Sequence, residues 1–392
     1  MGGRVLMVAF HYPPSGGVAA HRPARFAQYL PDFGWDPVVL AREPDPRQPR
    51  DDSFPRAPLP LLRSAPWEPS RALGLLPSAW IDPVRRFLCV PDEEGGWRRS
   101  LRRLLPRLIR EQKPSVLWAN SVPPGTLVAA AEAARSAGIP FVADFHNEWT
   151  RNMYYRPSTR WHDARHRSLE RFVVESARRV VTLNPLHTED LKARFPSVPC
   201  ETIENGFDPA DHEGTPPDPL RRPRVFTYAG SVYGYQSPRP FLEALSESGL
   251  KDVEVRVVGD RFGQFEAGTW PFPVRVERHL PHRELGGVLS ASAACFLCLE
   301  TPAARQLPAK LYEYLGAGRP VFGIVPRGGA ADRWIGGAGA GTAAAFEDRG
   351  AWVPALQAFV AGLSAWKAPD ATAFHRRTQA ARLSRVFDEV SR

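Results

Sequence analysis

The sequence predicts an α/β protein made of two Rossmann-like, doubly wound domains. Three observations predict it. The chain opens as strand, glycine-rich loop, helix, strand; the same plan restarts near residue 224; and a proline-rich, charged stretch lies between the two halves. A length of 392 residues suits two domains, and 43% hydrophobic residues supply real cores. With 24% charged residues, wholesale disorder is excluded.

The first half begins with Arg4–Phe10, a continuous apolar run that reads as a buried strand. His11-Tyr-Pro-Pro-Ser-Gly-Gly17 is a tight loop, and its paired glycines, Gly16 and Gly17, let backbone approach a ligand closely. It lacks GxGxxG, so a dinucleotide fingerprint is weak. Val18–Leu30 then reads as a helix and Pro37–Leu40 as a strand. Residues 41–92 hold many prolines and scattered apolar side chains, which predicts long loops with short helices. Trp97–Arg110 follows a helical period: Trp97, Leu101, Leu104, Leu105 and Leu108 form a stripe, and six arginines fill the other faces. Such a helix is expected to pack its stripe inward with its arginines solvated, a placement to which contact with anionic lipid can be added, and Pro106 would kink it. Val116–Ala119 and Phe141–Phe145 are strands flanking an alanine-rich helix. The second delivers His146 at its carboxyl end, within Asp144-Phe-His-Asn-Glu-Trp149, where open α/β sheets collect their ligands. His162 and His166, four apart, share a helix face, but no Glu sits between them in zinc-protease order (His-Asp-Ala-Arg-His), and they read as polar surface. Arg179–Asn184 is a strand, Thr188–Phe195 a helix, and Asn205-Gly206 a turn with Gly206 in a special conformation. These boundaries give a first domain over 1–208, a linker over 209–223, a second domain over 224–371 and a terminal helix over 372–392.

The second half repeats the plan. Strands are expected at Arg224–Ala229, Val253–Val258, Val274–Arg278 and Ala293–Leu299, with helices at Pro240–Ser248 and beyond His279-Leu-Pro-His. The stretch Leu307–Val321 (LPAKLYEYLGAGRPV) then reads as a short helix entering strand Val321–Val325. Pro308 suits the first helical position, Gly316 and Gly318 suit a left-handed exit, and Pro320 forbids continuation. Lys310 and Glu313 share one face. A cation in the first turn runs against the helix dipole, which makes sense if an external anion sits there, phosphate being the common case. Glu313 could then accept from ribose hydroxyls. The plain alternative is a surface ion pair between Lys310 and Glu313.

The order Lys, Glu, Tyr-Leu, Gly-x-Gly-x-Pro-Val resembles the nucleotide-sugar helix of the family 4 glycosyltransferases. So do the Pro-Pro…Gly-Gly loop, the strand-end His146, the Asn205-Gly206 turn and Tyr228-Ala-Gly230. The resemblance covers nearly the whole chain, with Ala41–Asp92 poorly matched. It implies the GT-B fold, with a cleft between the two domains. It implies transfer of a sugar from a nucleotide diphosphate to a hydroxyl acceptor (a glycan, a lipid-linked or a small molecule) with retention at the anomeric carbon, in bacterial-type glycan, lipopolysaccharide or glycosylated-metabolite synthesis. Charge grows on the departing diphosphate, so Lys310, the helix start at Pro308–Leu311 and Arg239 become the candidates to stabilise it. Glu313 would hold the ribose, Gly16 and Gly17 would close on phosphate or sugar, and Gly259 and Leu280 would hold the base through backbone. His146 would contact sugar and acceptor. Two positions depart from the pattern. Arg305 stands where members often carry a first glutamate, eight positions before Glu313, and Ser231 stands where many have an arginine. Arg305 and Arg239 could replace that cation.

Other features narrow the field. The formal charge of +9 favours anionic partners without choosing among them. Basic residues do not alternate with aromatics along an exposed strand, so nucleic acid is not expected. Four cysteines exclude a disulfide scaffold, and Cys295 and Cys298 lie in an apolar run that reads as a buried strand. The sequence has no Asp-x-Asp, which favours neutralising the diphosphate with side chains; neither a metal nor a cofactor is expected beyond the donor substrate. No apolar run approaches the ~18 residues of a membrane span, and Val5–Phe10 is too short for a signal-peptide core. A cytoplasmic protein is therefore expected, with peripheral contact at an anionic membrane left open. The competing class is a non-catalytic GT-B protein that binds nucleotide or scaffolds a glycan-assembly complex.

Overall fold

The structure is a computed structural model that describes residues 2–45, 50–51, 60–65, 87, 89–212, 218, 221–232, 234–259, 269–278 and 280–392. The chain divides into two compact units, Met1–Glu204 with Arg377–Arg392, and Asn205–Arg376. Trp67 and Trp80, and most of the proline-rich stretch around them, lie outside the described residues, as does the middle of the expected linker.

Unit 1 alternates β1 (Arg4–Ala9), α1 (Val18–Tyr29), β2 (Asp36–Arg42), β3 (Leu61–Ser64), α2 (Gly95–Gln112), β4 (Val116–Asn120), α3 (Pro124–Ala137), β5 (Phe141–Phe145), α4 (Arg160–Ser176), β6 (Arg179–Thr182), α5 (Pro185–Arg194) and β7 (Cys200–Thr202). Its sheet is parallel, in the order β3-β2-β1-β4-β5-β6-β7. Successive side chains of a strand point to opposite faces, and here both faces are dry. Leu6 and Val8 of β1 meet α2 and α3 through Trp97, Leu101, Leu105 and Leu127. Val5 and Met7 point the other way, towards Ala24, Phe26 and Ala27 of α1.

Two expectations change here. The stretch 41–92 contributes a strand, β3, which pairs with β2 through Val39–Arg42. The apolar stripe of α2 is spent inside unit 1: Trp97, Leu101 and Leu105 are fully buried, and Trp97 donates its indole N–H to Thr126 at 3.0 Å. Arg99, Arg102, Arg103, Arg107 and Arg110 stay exposed on its other faces, Arg102 held by Glu132 and Arg107 by Glu111. Pro106 sits on the exposed side, and α2 runs on unbroken through it.

Unit 2 runs β8 (Arg224–Ala229), α6 (Arg239–Glu247), β9 (Val253–Val258), β10 (Val274–Glu277), α7 (His282–Ser290), β11 (Ala294–Cys298), α8 (Lys310–Gly316), β12 (Val321–Val325), α9 (Ala330–Gly337), β13 (Gly341–Ala345) and α10 (Arg349–Gly362). Its sheet is again parallel, in the order β10-β9-β8-β11-β12-β13. Phe241 of α6 stacks on Phe296 of β11, centroids 3.9 Å apart, at the middle of the core. Cys295 and Cys298 are fully buried in β11, where burial pushes the Cys298 thiol up to about 12. All four cysteines are free.

The last helix, α11 (Arg376–Val390), returns to unit 1. Ala380, Leu383, Val386 and Phe387 pack into the same face as Val5 and Met7. Its start is tied down within unit 2 by the Asn205-Gly206 turn. The Phe207 N–H donates to the Phe374 carbonyl, the Arg376 N–H donates to the Phe207 carbonyl, and Asn205 Oδ1 accepts from the Arg376 side chain at 3.2 Å. Gly206 is required by proximity, not by an unusual φ: a Cβ there would lie 2.0 Å from the Phe374 carbonyl oxygen. No described helix is long and apolar enough to cross a membrane.

In each sheet the strand order reverses once, at β1/β4 and at β8/β11. These reversals open crevices beyond the carboxyl ends of the strands.

Candidate active site

In unit 2, residues from three elements converge at the carboxyl ends of β8 and β9. Tyr228 lies next to last in β8, Gly230 and Gly259 immediately follow β8 and β9, and Lys310 opens α8. The helix starts later than the sequence suggests. Lys310 is its first residue and Ala309 its cap, so Pro308 precedes the helix. Leu311, Tyr312, Tyr314 and Leu315 are buried and anchor it, and the Tyr314 hydroxyl accepts from the Ala229 N–H at 2.9 Å, holding α8 to the tip of β8. Gly318, at φ 64°, makes the left-handed exit. Gly316 is instead required by close packing, since a Cβ there would lie 2.5 Å from the Phe207 ring.

Lys310 is half-buried, with its amine 3.9 Å from the centre of the Tyr228 ring. Gly230, at φ 123°, leaves room for it; a Cβ would sit 3.0 Å from Nζ. Gly259 is equally constrained, since a Cβ would lie 2.3 Å from the Gly230 carbonyl oxygen. Burial pushes the Lys310 amine from 10.5 down to about 7. Among the described residues no carboxylate pairs with it, so the plain surface pair with Glu313 does not form. This is an amine with no carboxylate partner among the described residues, beside the Gly230 backbone, a setting an anion would relieve.

Glu313 is engaged elsewhere. Its Oε2 lies 3.2 Å from His212 Nε2 and 3.6 Å from His282 Nε2, and His282 Nε2 also lies 3.1 Å from Asp211. Burial works against its charge, but His282, His212 and Arg376 hold its carboxyl below the usual range. The short turn Pro209–His212 reaches it because Gly286 of α7 allows contact: a Cβ there would lie 2.2 Å from the Asp211 carbonyl oxygen.

The other candidates of unit 2 are more peripheral. Ser231 follows Gly230, and its carbonyl accepts from the Tyr228 hydroxyl at 3.4 Å. Leu280 is half-buried just ahead of α7. Arg239 opens α6 with its side chain exposed, and Arg305 is half-buried between the turn Thr301–Ala303 and α8.

In unit 1, Gly17 caps α1 at φ 99°, with open space where a Cβ would point, and Gly16 precedes it half-buried. His146 emerges half-buried from β5, its backbone N–H donating to Ser121 Oγ at 2.8 Å. Asp144 beside it is structural: Arg22 donates Nε to its carboxylate at 3.0 Å and reaches the Glu204 carbonyl, all in a dry interior. His162 is not a surface residue. It is buried, its ring nitrogens 2.8 Å from Thr159 Oγ1 and 2.9 Å from the Phe87 carbonyl oxygen, while His166 accepts from Trp149.

The family model described as Glycosyltransferase Family 4 matches residues 15–211, half of the chain. The chain belongs to glycosyltransferase family 4. No curated protein matches it by sequence. Among solved structures it is similar to Anabaena HepE in complex with UDP and glucose, at 14% identity and TM-score 0.66 over 99% of this chain and 100% of that one. It is also similar to the lipopolysaccharide outer core galactosyltransferase WaaB in its apo form, at 12% identity and TM-score 0.62 over 98% and 99%. A third is the α,α-trehalose 6-phosphate synthase of Burkholderia multivorans, at 14% identity and TM-score 0.59 over 99% and 94%. At these identities the likeness carries the fold, which is GT-B: two Rossmann-like domains in one chain.

Within this family 4 chain, sequence reasoning missed the residues that surround its two chosen side chains. Tyr228 was visible as part of a motif, but not as the platform for Lys310. Asp211, His212 and His282 carried no signal; His212 and Glu313 are 101 positions apart, and only the fold joins them.

Proposed function

We propose that the protein is a retaining glycosyltransferase that moves a sugar, a hexose, from a UDP-sugar to a hydroxyl acceptor without a metal ion, in glycan, lipopolysaccharide or glycosylated-metabolite synthesis. The observation that carries the reading is Lys310: an amine with a depressed pKa, held over Tyr228 beside the backbone of Gly230. As the anomeric bond breaks, negative charge gathers on the departing diphosphate. A preplaced amine there lowers the barrier more than it stabilises the ground state. Bound pyrophosphate would favour the ammonium form, so the donor supplies the charge that burial withholds. Both histidine contacts fall on Oε2 of Glu313, which leaves Oε1 for a ribose hydroxyl. Gly259 and Leu280 would meet the base through backbone. Arg239 and Arg305 would add positive charge near the phosphates, and Gly16, Gly17 and His146 would serve the sugar and acceptor. UDP is the nucleotide in the HepE complexes, and the present residues supply backbone and a cation of the kind it needs.

The test is release of nucleoside diphosphate from a panel of sugar nucleotides, with product configuration read by NMR. Lys310→Ala should lower turnover about 10²-fold or more with the fold intact, as for loss of a charge-stabilising donor. Activity should persist in excess chelator, because no step is assigned to a divalent ion. Near-normal turnover in the variant would remove the role given to Lys310; metal dependence would remove the ion-free mechanism. Arg305 in place of a carboxylate favours one second reading, a nucleotide-binding scaffold without transferase activity. Tight nucleotide binding with no diphosphate release would select it.

A further inference from the structure

The turn Pro209–His212 lies in the charged stretch expected as a linker, yet its last residue is clamped inside unit 2. The His212 side chain is 5% exposed. Helices α7 and α8 each carry a glycine that admits it: a Cβ on Gly286 would lie 3.4 Å from His212 Nδ1, and one on Gly316 would lie 2.9 Å from Nε2. The Phe207 ring stands edge-on to the imidazole, centroids 5.9 Å apart. Asp208 fixes the turn, its carbonyl accepting from the Asp211 N–H at 3.0 Å and its carboxylate from the Ala210 N–H at 3.2 Å. A ring held this closely aims Nε2 at one atom, Glu313 Oε2, 3.2 Å away. His282 Nε2 lies 3.6 Å from the same oxygen, past hydrogen-bond range, and 3.1 Å from Asp211 Oδ2, where its bond goes. Glu313 is ionised at neutral pH. A carboxylate only accepts, so Nε2 of His212 carries the proton between them. With Oε2 taken, Oε1 is the oxygen left over. Among the described residues Oε1 makes no hydrogen bond, and it is not one of the sealed polar atoms.

Lys310 and Glu313 are three apart on α8, about 4.5 Å along one face. That is close to the span from the α-phosphate of a nucleoside diphosphate to its ribose hydroxyls. Oε1 offers two lone pairs, and ribose offers two neighbouring hydroxyls to fill them. A 2′-deoxyribose fills one and leaves a charged, half-buried group short of a donor, which costs more than a contact missed in water. We propose that His212 is a positioning residue: by fixing Oε2 it presents Oε1 to the ribose, and so makes the site select ribonucleotide over 2′-deoxyribonucleotide donors. The inference rests on the transferase reading, in which Glu313 meets the ribose, and it uses residues of unit 2 alone.

Nucleoside diphosphates are titrated into the whole protein by calorimetry in ribo and deoxy pairs: UDP with dUDP, GDP with dGDP, ADP with dADP. In the parent, at least one ribonucleotide should bind about tenfold or more tighter than its deoxy partner. His212→Ala should weaken that ribonucleotide about fivefold or more and leave the deoxy partner within about twofold, so that the preference collapses. The unchanged deoxy affinity shows that the variant has folded. His212→Gln, whose amide N–H can reach Oε2, should restore most of the preference. A histidine that only held the turn to α8 would lower the unfolding midpoint on removal and leave the preference intact. That result, equal loss of both ligands, or no preference in the parent overturns the proposal. Diphosphate release from sugar nucleotides is scored separately. Release without a ribose preference sinks the role of His212 and spares the transferase; a preference that depends on His212, without release, does the reverse.

Discussion

Lys310 shows how one residue can be tuned by what is withheld from it. A lysine in water titrates near 10.4; here burial brings the amine to about 7. In the free protein it is therefore charged less readily near neutral pH than an exposed lysine. A bound pyrophosphate stabilises the ammonium and raises its pKa, so binding above pH 7 takes up a proton. Affinity for UDP should fall as pH rises from 7 to 9, by up to about tenfold per unit. Calorimetry in buffers of different ionisation enthalpy counts that proton. Flat affinity and no proton uptake would show that the amine does not meet the phosphates. Lys310→Arg should flatten the profile, because a guanidinium stays charged throughout. Glu313 shows the opposite tuning: its charge is secured in advance by histidines that the chain brings from two other elements.

At the scale of elements, α8 is seven residues long, too short to persist alone. It exists because Leu311, Tyr312 and Tyr314 are buried and because Tyr314 bonds the end of β8. Gly259 sets how close the exits of β8 and β9 can come. Gly259→Ala should force the Gly230 carbonyl aside, lowering stability by about 2 kcal/mol or more and weakening donor binding. Denaturant titration with UDP binding checks both, and an unperturbed variant would mean that the loop yields freely. This level is also where sequence reasoning divides. Runs rich in Val, Phe, Leu and Ile made β1, β5, β8, β9 and β12 legible to within a residue, since a strand buried on both faces is mostly apolar. β3 and β7 escaped, because Leu-Leu-Arg-Ser and Cys-Glu-Thr carry no such run and are strands only by virtue of their neighbours. Lys310 was legible because its charge conflicts with its position. The reasons for Gly206 and Gly316 were not, since both answer to atoms far away in sequence.

Across the whole molecule, the chain makes two units of like plan and closes the first with its last residues. Trp35 and Phe387 meet at 5.2 Å in the core of unit 1, Arg382 donates to the Thr202 carbonyl, and Arg377 pairs with Asp32. Phe387→Ala should cost unit 1 about 3–5 kcal/mol, seen as an earlier unfolding transition. A transition at the parental midpoint would mean that the helix only rests on a finished core.

This arrangement has a consequence for biogenesis. Domains that emerge first usually fold first, while the ribosome is still translating. Here residues 1–204 leave the exit tunnel with the groove for Ala380, Leu383 and Phe387 still empty. That apolar groove must wait, uncovered, while the 172 residues of Asn205–Arg376 are made, so the first unit to emerge is completed only after the second has been synthesised.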